Sequence, residues 1–148
     1  MPVLVDTSIW VDYFKDGTHT GKLDFLIDEN LIVTNDLILA ELIPFLKVQK
    51  QKKIIQLLNN IMKLPLAVHW DQIIEYQFKC LKKGLNGIGI PDLIITQNAM
   101  QNQCELYSLD HHFSLLYGWG QVFRFDKLKI LHILFNSSHA GPLRSTPG

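Results

Sequence analysis

The chain has 148 residues, 14 basic and 14 acidic side chains, and a formal net charge of zero. Apolar residues make up 47% and charged residues only 19%, a composition typical of a folded domain and unlike that of a disordered chain. A strongly basic nucleic-acid-binding protein is not indicated by this charge. The apolar excess favours either a surface buried against a second chain or simply a large core.

Cys80 and Cys104 are the only cysteines, and two residues form no disulfide framework. We therefore expect free thiols in a reduced, cytoplasmic protein. The N-terminus lacks the basic and apolar regions of a signal peptide, and no stretch is long and apolar enough for a membrane span. We expect no membrane association.

The first half of the chain predicts alternating strands and helices. Short apolar runs at residues 2–5 and 31–34 have the length of buried strands. Thr7 or Ser8 is the predicted N-cap of the first helix. Pro44 either kinks the third helix or marks its end. Apolar residues at helical spacing predict four helices, over residues 7–14, 23–27, 37–45 and 49–62.

The second half continues this alternation. Residues 84–89 form a glycine-rich break, and Pro91 suits the first turn of a helix. The remaining predicted elements are helices over 70–83, 91–100 and 112–116 and strands over 105–109 and 121–125. Strands separated by helices predict an α/β fold with a parallel sheet covered on both faces. Residues 136–148 are rich in Ser, Gly, Pro and His, and we expect a disordered or vector-derived tail after a domain spanning 1–135.

Four carboxylates occupy unusual places in this pattern. Asp6 and Asp110 each follow an apolar strand, Asp92 lies in the first turn of a helix, and Glu41 interrupts an apolar helical segment. Ligands of parallel sheets bind outside the carboxyl ends of strands, so a shared site is plausible. The alternatives remain open: Asp6 as a cap, Asp92 as a partner of the helix dipole, Asp110 as a turn residue and Glu41 as a solvent-facing side chain.

The strings LVDTSIWVDYF, LILAELI, IGIPDLIITQNAM and LYSLDHHF resemble the four motif regions of PIN domains, in particular VapC toxins of bacterial toxin–antitoxin pairs. The resemblance covers about residues 2–125 in the right order. It implies a three-layer α/β/α sandwich with a mostly parallel sheet. It also implies an endoribonuclease that uses Mg²⁺ or Mn²⁺, a small antitoxin partner and a homodimer.

By this resemblance, the family's acidic residues correspond to Asp6, Glu41, Asp92 and Asp110, both as metal ligands and as catalytic residues. Its small hydroxyl positions correspond to Thr7 and Ser108, which we expect to act on substrate or to support the ligands. The chain departs from the pattern at His112, where many relatives carry Asp or Asn. This departure predicts a weaker or differently hydrated second-metal side, or a contact between His112 and phosphate, or an ordinary half-exposed helix residue.

Charge repulsion gives the quartet a physical reason to bind cations. Clustered carboxylates raise one another's pKa unless cations lie among them, and hard oxygen ligands suit Mg²⁺ or Mn²⁺. Residue spacing does not indicate structural zinc. In the predicted mechanism, metal activates water for in-line attack on an RNA phosphodiester. Two lysine runs, over 47–53 and 79–83, would steer the RNA backbone, or are solvated helix faces.

Two other functions are compatible with parts of this pattern. Asp6 followed by Thr7 suggests phosphoryl transfer through an aspartyl intermediate, but Ser8 stands where a second Asp is expected. A non-catalytic PIN-fold module that binds RNA or protein is the main alternative. It has no use for four mutually repelling carboxylates, and a metal titration distinguishes it from the nuclease.

Overall fold

A computed structural model describes residues 2–15, 20–118 and 129–130 of the chain. The strand predicted over 121–125 and the tail predicted over 136–148 lie outside the described residues. In the described ranges, no helix is long and apolar enough to cross a membrane.

Strands and helices alternate along most of the described chain. The strands are β1 (Val3–Val5), β2 (Ile32–Thr34), β3 (Met62–Lys63), β4 (Glu105–Tyr107) and β5 (Lys129–Ile130). The helices are α1 (Thr7–Phe14), α2 (Thr20–Asp28), α3 (Asp36–Val48), α4 (Lys52–Asn59), α5 (Trp70–Lys82), α6 (Ile90–Gln101) and α7 (His111–Gly118).

The five strands form one parallel sheet in the order β3-β2-β1-β4-β5. Leu4 in β1 is paired with Val33 on one side and with Leu106 on the other. The chain first builds outward from β1 to β3 and then crosses over to β4 on the opposite side of β1. This reversal opens a crevice between the carboxyl ends of β1 and β4, where parallel α/β sheets bind their ligands.

Alternating side chains of the strands separate two cores. Val3 and Val5 pack in a cluster with side chains from α1 to α4, whereas Leu4 packs with side chains from α5, α6 and α7. The two-residue period of a strand sends neighbours to opposite faces, so each face of the sheet is covered by helices. The predicted three-layer α/β/α sandwich with a parallel sheet is therefore confirmed.

The structure differs from the sequence prediction at β3 and decides between two predicted alternatives at Pro44. The helix predicted over 49–62 ends at Asn59, and Met62 and Lys63 form the exposed strand β3 at the edge of the sheet. An exposed two-residue strand carries no apolar run that a pattern could detect. Pro44 lies inside α3 and does not end it. The carbonyl that loses its partner belongs to Ala40, an exposed residue, so solvent can replace the missing hydrogen bond.

Candidate active site

Three aspartates stand at the N-termini of three helices. Asp6 follows β1 and is the N-cap of α1, in place of the predicted Thr7 or Ser8. Asp92, in the first turn of α6, accepts a hydrogen bond of 3.2 Å from the Gly89 N–H. Asp110 precedes α7 and accepts one of 2.9 Å from the His112 N–H. Each carboxylate thus complements a helix N-terminus, as the simpler alternatives predicted for Asp6 and Asp92, whereas the alternative for Asp110 was a turn residue. These termini also place the three aspartates at one edge of the sheet.

Asp6 is the most buried of the four carboxylates, with only 6% of its surface exposed. Its Oδ2 accepts hydrogen bonds from the hydroxyls of Ser8 at 2.9 Å and Ser108 at 2.8 Å. The same two hydroxyls accept bonds of 2.9 Å from the N–H groups of Leu109 and Asp110. These bonds tie the end of β1 to the loop after β4, and they supply donors for a buried charge.

The role of Ser8 was missed in the sequence. Its position two residues after a strand-end aspartate favours the kind of local side-chain contact that it forms, but this signal is common in turns and caps. Its second contact, with the loop after β4, joins residues about a hundred positions apart, and no local pattern predicts such a pair.

His112 lies between two of the aspartates. Its Nδ1 is 3.3 Å from Asp92 Oδ2 and 3.3 Å from Asp110 Oδ1. A Cβ atom built on Gly87 would approach its Nε2 to 2.9 Å. The missing side chain at Gly87 therefore lets the glycine-rich loop close over the ring. His111, by contrast, is exposed, with its Nδ1 4.0 Å from Asp110.

Glu41 lies at the rim of this group. It projects from α3, its residue surface is exposed, and it accepts a hydrogen bond of 3.4 Å from the Thr7 hydroxyl. Partial burial raises the pKa of Glu41, and the negative charges of Asp6, Asp92 and Asp110 raise it further. Glu41 is thus open to solvent and near the other three carboxylates at the same time.

A buried amide pair connects the helices that carry Glu41 and Asp92. Asn35 caps α3 by accepting a bond of 2.8 Å from the Ile38 N–H, and it donates one of 2.9 Å to Asn98 on α6. Asn98 in turn donates to the Pro65 carbonyl at 2.9 Å. These bonds fix α6 relative to α3 beneath the site.

The electrostatics of the site favour a cation. Burial raises the pKa of Asp6 against the opposing hydrogen bonds from Ser108 and Ser8. Burial also raises the pKa of Asp92, with a smaller contribution from the charge of Asp110. Within residues 2–15, 20–118 and 129–130, no lysine or arginine pairs with the four carboxylates, and their ionic contacts are with His111 and His112.

Free oxygen atoms are also available to a ligand. The hydrogen bonds and ionic contacts of Asp92, Asp110 and Glu41 described above each fall on one oxygen of the carboxylate. For these three residues, the second oxygen has no such contact in the described part of the chain. Potential ligand atoms of Asp110, His111 and His112 also lie within 4.8 Å of one another. The donor set therefore fits a hard divalent ion, with histidine nitrogen available beside the oxygens.

Comparison with known proteins agrees with this architecture. The sequence matches the PIN domain family over residues 3–118. The fold is similar to a chain in the crystal structure of VapBC2 from Rickettsia felis bound to a DNA fragment from their promoter, with a TM-score of 0.65. The two chains are 23% identical, and the similarity covers 88% of this chain and 97% of the other. No curated protein matches the sequence. The family match spans most of the sequence, and the chain belongs to the PIN domain family.

Proposed function

We propose that this protein is an endoribonuclease that depends on Mg²⁺ or Mn²⁺ and uses Asp6, Glu41, Asp92 and Asp110 to hold the metal. The observation that carries the proposal is that the charges of Asp6, Asp92 and Asp110 all raise the pKa of Glu41, while no lysine or arginine pairs with these four carboxylates in the described ranges. Keeping such charges together costs folding free energy. A bound divalent ion offsets this cost, which accounts for the presence of all four.

Each residue of the site has a physical role in this proposal. Asp6 is held in position by the Ser8 and Ser108 hydroxyls, and Glu41 is oriented by the Thr7 hydroxyl. Asp6, Asp92 and Asp110 are held by backbone N–H groups at the N-termini of α1, α6 and α7. A divalent ion supplies the Lewis acid that activates water and neutralises charge on the phosphate. The chain itself contributes no covalent nucleophile.

The two lysine runs lie in different parts of the fold. Lys47 follows Glu41 by six residues on α3, roughly 9 Å along the helix axis, and the run over 79–83 ends α5 before the loop that leads into α6. We infer that the substrate is single-stranded or looped RNA, because regular duplex RNA hides its base edges.

Metal-dependent cleavage tests the proposal directly. Purified protein should cleave RNA with Mg²⁺ or Mn²⁺ and stop in excess EDTA. Asp92→Asn should reduce cleavage by at least about a hundredfold, because metal ligands supply several kcal/mol of transition-state stabilisation. Asp28→Asn is the control, since Asp28 is an exposed aspartate on α2, outside both the site and the α5 surface.

Two outcomes would contradict the nuclease. Cleavage that continues undiminished in EDTA would indicate a metal-free ribonuclease and remove the proposed mechanism. Metal binding in calorimetry without cleavage of any RNA, over a wide set of structured and unstructured substrates, would favour the non-catalytic binding module.

We further propose that the protein is the toxin of a type II toxin–antitoxin pair in the cytoplasm. The similarity to a chain of the Rickettsia felis VapBC2 structure supports this assignment at the level of fold. A small antitoxin would place an Arg or Lys side chain near Asp6 and Asp92, since guanidinium pairs with carboxylate in bidentate fashion. Partner and metal should then weaken each other's binding by the same factor in calorimetric titrations. Equal partner affinity with and without Mg²⁺ would refute the electrostatic contact and leave simple steric blocking.

A homodimer is the remaining part of the proposal, and α5 provides its surface. A contact through the helices of the first half would use apolar residues such as Phe45 and Ile54. Those two side chains instead pack against the chain's own core, and Phe45 lies edge-on to Phe14. Four large apolar side chains at helical spacing are more than half exposed on α5: Trp70, Ile74, Phe78 and Leu81.

The charges of α5 favour a second copy of the chain as the occupant of this face. The N-terminal half of α5 carries Asp71 and Glu75, and the C-terminal half carries Lys79 and Lys82. In an antiparallel pair of α5 helices, the acidic half of each would face the basic half of the other, as a two-fold interface requires. Phe78→Glu should therefore give a monomer in light scattering, whereas Phe25→Glu, at a similarly exposed phenylalanine on α2, should not. A monomeric parent protein at all concentrations would refute the dimer.

A further inference from the structure

His112 is held beside the carboxylates by contacts on both sides of its ring. Nδ1 lies 3.3 Å from an oxygen of Asp92 and 3.3 Å from an oxygen of Asp110. On the opposite side, Gly87 leaves no room for a Cβ atom next to Nε2. The side chain is only 26% exposed. The imidazole therefore has a defined position in the site and is not a freely rotating surface group.

The two contacts of Nδ1 are long for hydrogen bonds. N–H···O bonds in proteins measure about 2.7–3.2 Å between heavy atoms. The spacing is, however, that of neighbouring ligands around one ion. Metal–ligand bonds of about 2.0–2.3 Å in tetrahedral or octahedral geometry separate adjacent ligand atoms by roughly 2.8–3.8 Å. Nδ1 thus lies at the spacing of a neighbouring ligand from one oxygen of Asp92 and from one oxygen of Asp110. Ligand atoms of Asp110, His111 and His112 also lie within 4.8 Å of one another.

Which metal ion the site prefers should depend on this nitrogen. Mg²⁺ prefers oxygen ligands and retains its water molecules, whereas imidazole suits the later first-row ions. Mn²⁺ accepts both oxygen and nitrogen ligands, and affinity for nitrogen rises from Mn²⁺ towards Co²⁺ and Ni²⁺. Replacing one oxygen ligand by Nδ1 therefore shifts the preference of a carboxylate site away from Mg²⁺.

We propose that His112 is a direct metal ligand through Nδ1, and that it makes this centre selective for Mn²⁺ and its heavier neighbours over Mg²⁺. This inference rests on the proposed metal site and goes beyond it, because it names the residue that decides which ion is held. His112 then belongs with Asp110 on the metal, not with the groups that contact phosphate.

Binding of Mn²⁺ to the full chain tests the assignment without any activity measurement. Free Mn²⁺ is followed by electron paramagnetic resonance, with Mg²⁺ as competitor, for the parent protein, His112→Asn and His112→Asp. His69→Asn is the control, because it removes an exposed imidazole that lies outside the group formed by Asp110, His111 and His112. Pulsed resonance on the Mn²⁺ complexes detects directly whether a nitrogen is bound to the ion. Thermal unfolding of each variant establishes that it is folded.

We expect a nitrogen signal in the parent protein and in His69→Asn, and its loss in both His112 variants. His112→Asn should lower Mn²⁺ affinity by at least about tenfold, the smallest loss usual when even an outer partner of a ligand is removed. Its Mg²⁺ affinity should change much less. His112→Asp should lower the Mn²⁺/Mg²⁺ affinity ratio while binding both ions, because it replaces nitrogen by oxygen.

Three results would overturn the inference while leaving a metal-dependent nuclease intact. They are an unchanged Mn²⁺/Mg²⁺ ratio in the His112 variants, no nitrogen signal in the parent protein, or equally increased affinity for both ions in His112→Asn. The last result would identify His112 as a competing cation between the aspartates. Failure of the parent protein to bind either ion would instead contradict the proposed function itself.

Discussion

Asp6→Asn should stabilise the metal-free protein and abolish its stabilisation by divalent ions. Asparagine has nearly the same shape as aspartate and is an equally good N-cap, so the start of α1 should be preserved. The substitution removes the charge of a residue that is 6% exposed. The buried negative charge is opposed by desolvation, which the hydroxyls of Ser108 and Ser8 offset only in part, since the pKa of Asp6 remains raised.

The pH dependence of this effect has a definite sign. A carboxyl group whose pKa is raised on folding adds stability in full below its unfolded value of 3.8, and this contribution is lost as the pH rises through the folded pKa. Each unit of pKa difference corresponds to about 1.4 kcal/mol. The asparagine of the variant does not titrate in this range. The free energy of unfolding of the parent protein, minus that of the variant, should therefore fall with rising pH and level off above the folded pKa of Asp6.

In the presence of divalent ions, the parent protein should become more stable than Asp6→Asn. An ion at a hundred times its dissociation constant stabilises the folded state by about 2.7 kcal/mol. For a chain of this size, that free energy raises the melting temperature by roughly 5–11 °C. Asp6→Asn should show little of this rise, because a principal ligand has lost its charge.

Thermal unfolding between about pH 3.5 and pH 8, in EDTA and in excess Mn²⁺, measures both effects, since the lower limit lies near the unfolded pKa of a carboxyl group. Asp28→Asn serves as the control, because Asp28 is an exposed aspartate on α2. The reasoning fails if Asp6→Asn is less stable than the parent protein in EDTA at the upper end of this pH range. It also fails if the variant gains the full Mn²⁺ stabilisation.

Two further substitutions test the contacts around the site. Ser108→Ala removes a buried hydroxyl that donates to the Asp6 carboxylate at 2.8 Å, and it should cost about 1.5–3 kcal/mol in denaturant titrations; a loss as small as that of the control Ser114→Ala, on partly exposed α7, would contradict this. Gly87→Ala places a methyl group 2.9 Å from His112 Nε2, and it should weaken Mn²⁺ binding in the folded protein. Gly21→Ala, whose new methyl group meets open space, should leave Mn²⁺ binding unchanged, and equal affinities for all three proteins would show that the loop moves aside.

The general plan of the site could be predicted from the sequence because it follows from strand geometry. Asp6 and Asp110 each come after an apolar strand, and parallel neighbours end at the same edge. The same reasoning could not reveal β3, which is exposed and two residues long. It also gave no indication that Ser8 would contact the loop after β4, because that pairing depends on the order of strands in the sheet.

The position of His112 could not be predicted from the sequence, for a related reason. Its place in the sequence suggests a contact with phosphate or an ordinary helix residue equally well. What determines its role is the approach of the Gly87 loop from one side and of Asp92 from the other, and both lie well before it in the chain. Contacts of this kind arise from tertiary packing, and local patterns carry no information about them.

Capping and metal binding are compatible roles for the three aspartates, but the two roles differ in what they cost in folding stability. This difference shows which role explains the use of a charged residue. Asn or Ser would cap α1 as well as Asp6 does, without charge. Capping alone therefore gives no reason to bury Asp6 or to place it where Asp92 and Asp110 raise the pKa of Glu41 together with it. Charged residues at these positions lower folding stability, so they must have a role that neutral caps cannot fill. Strong attraction for a divalent ion is the property that disappears when these residues become neutral, and it is the property on which the proposed cleavage depends.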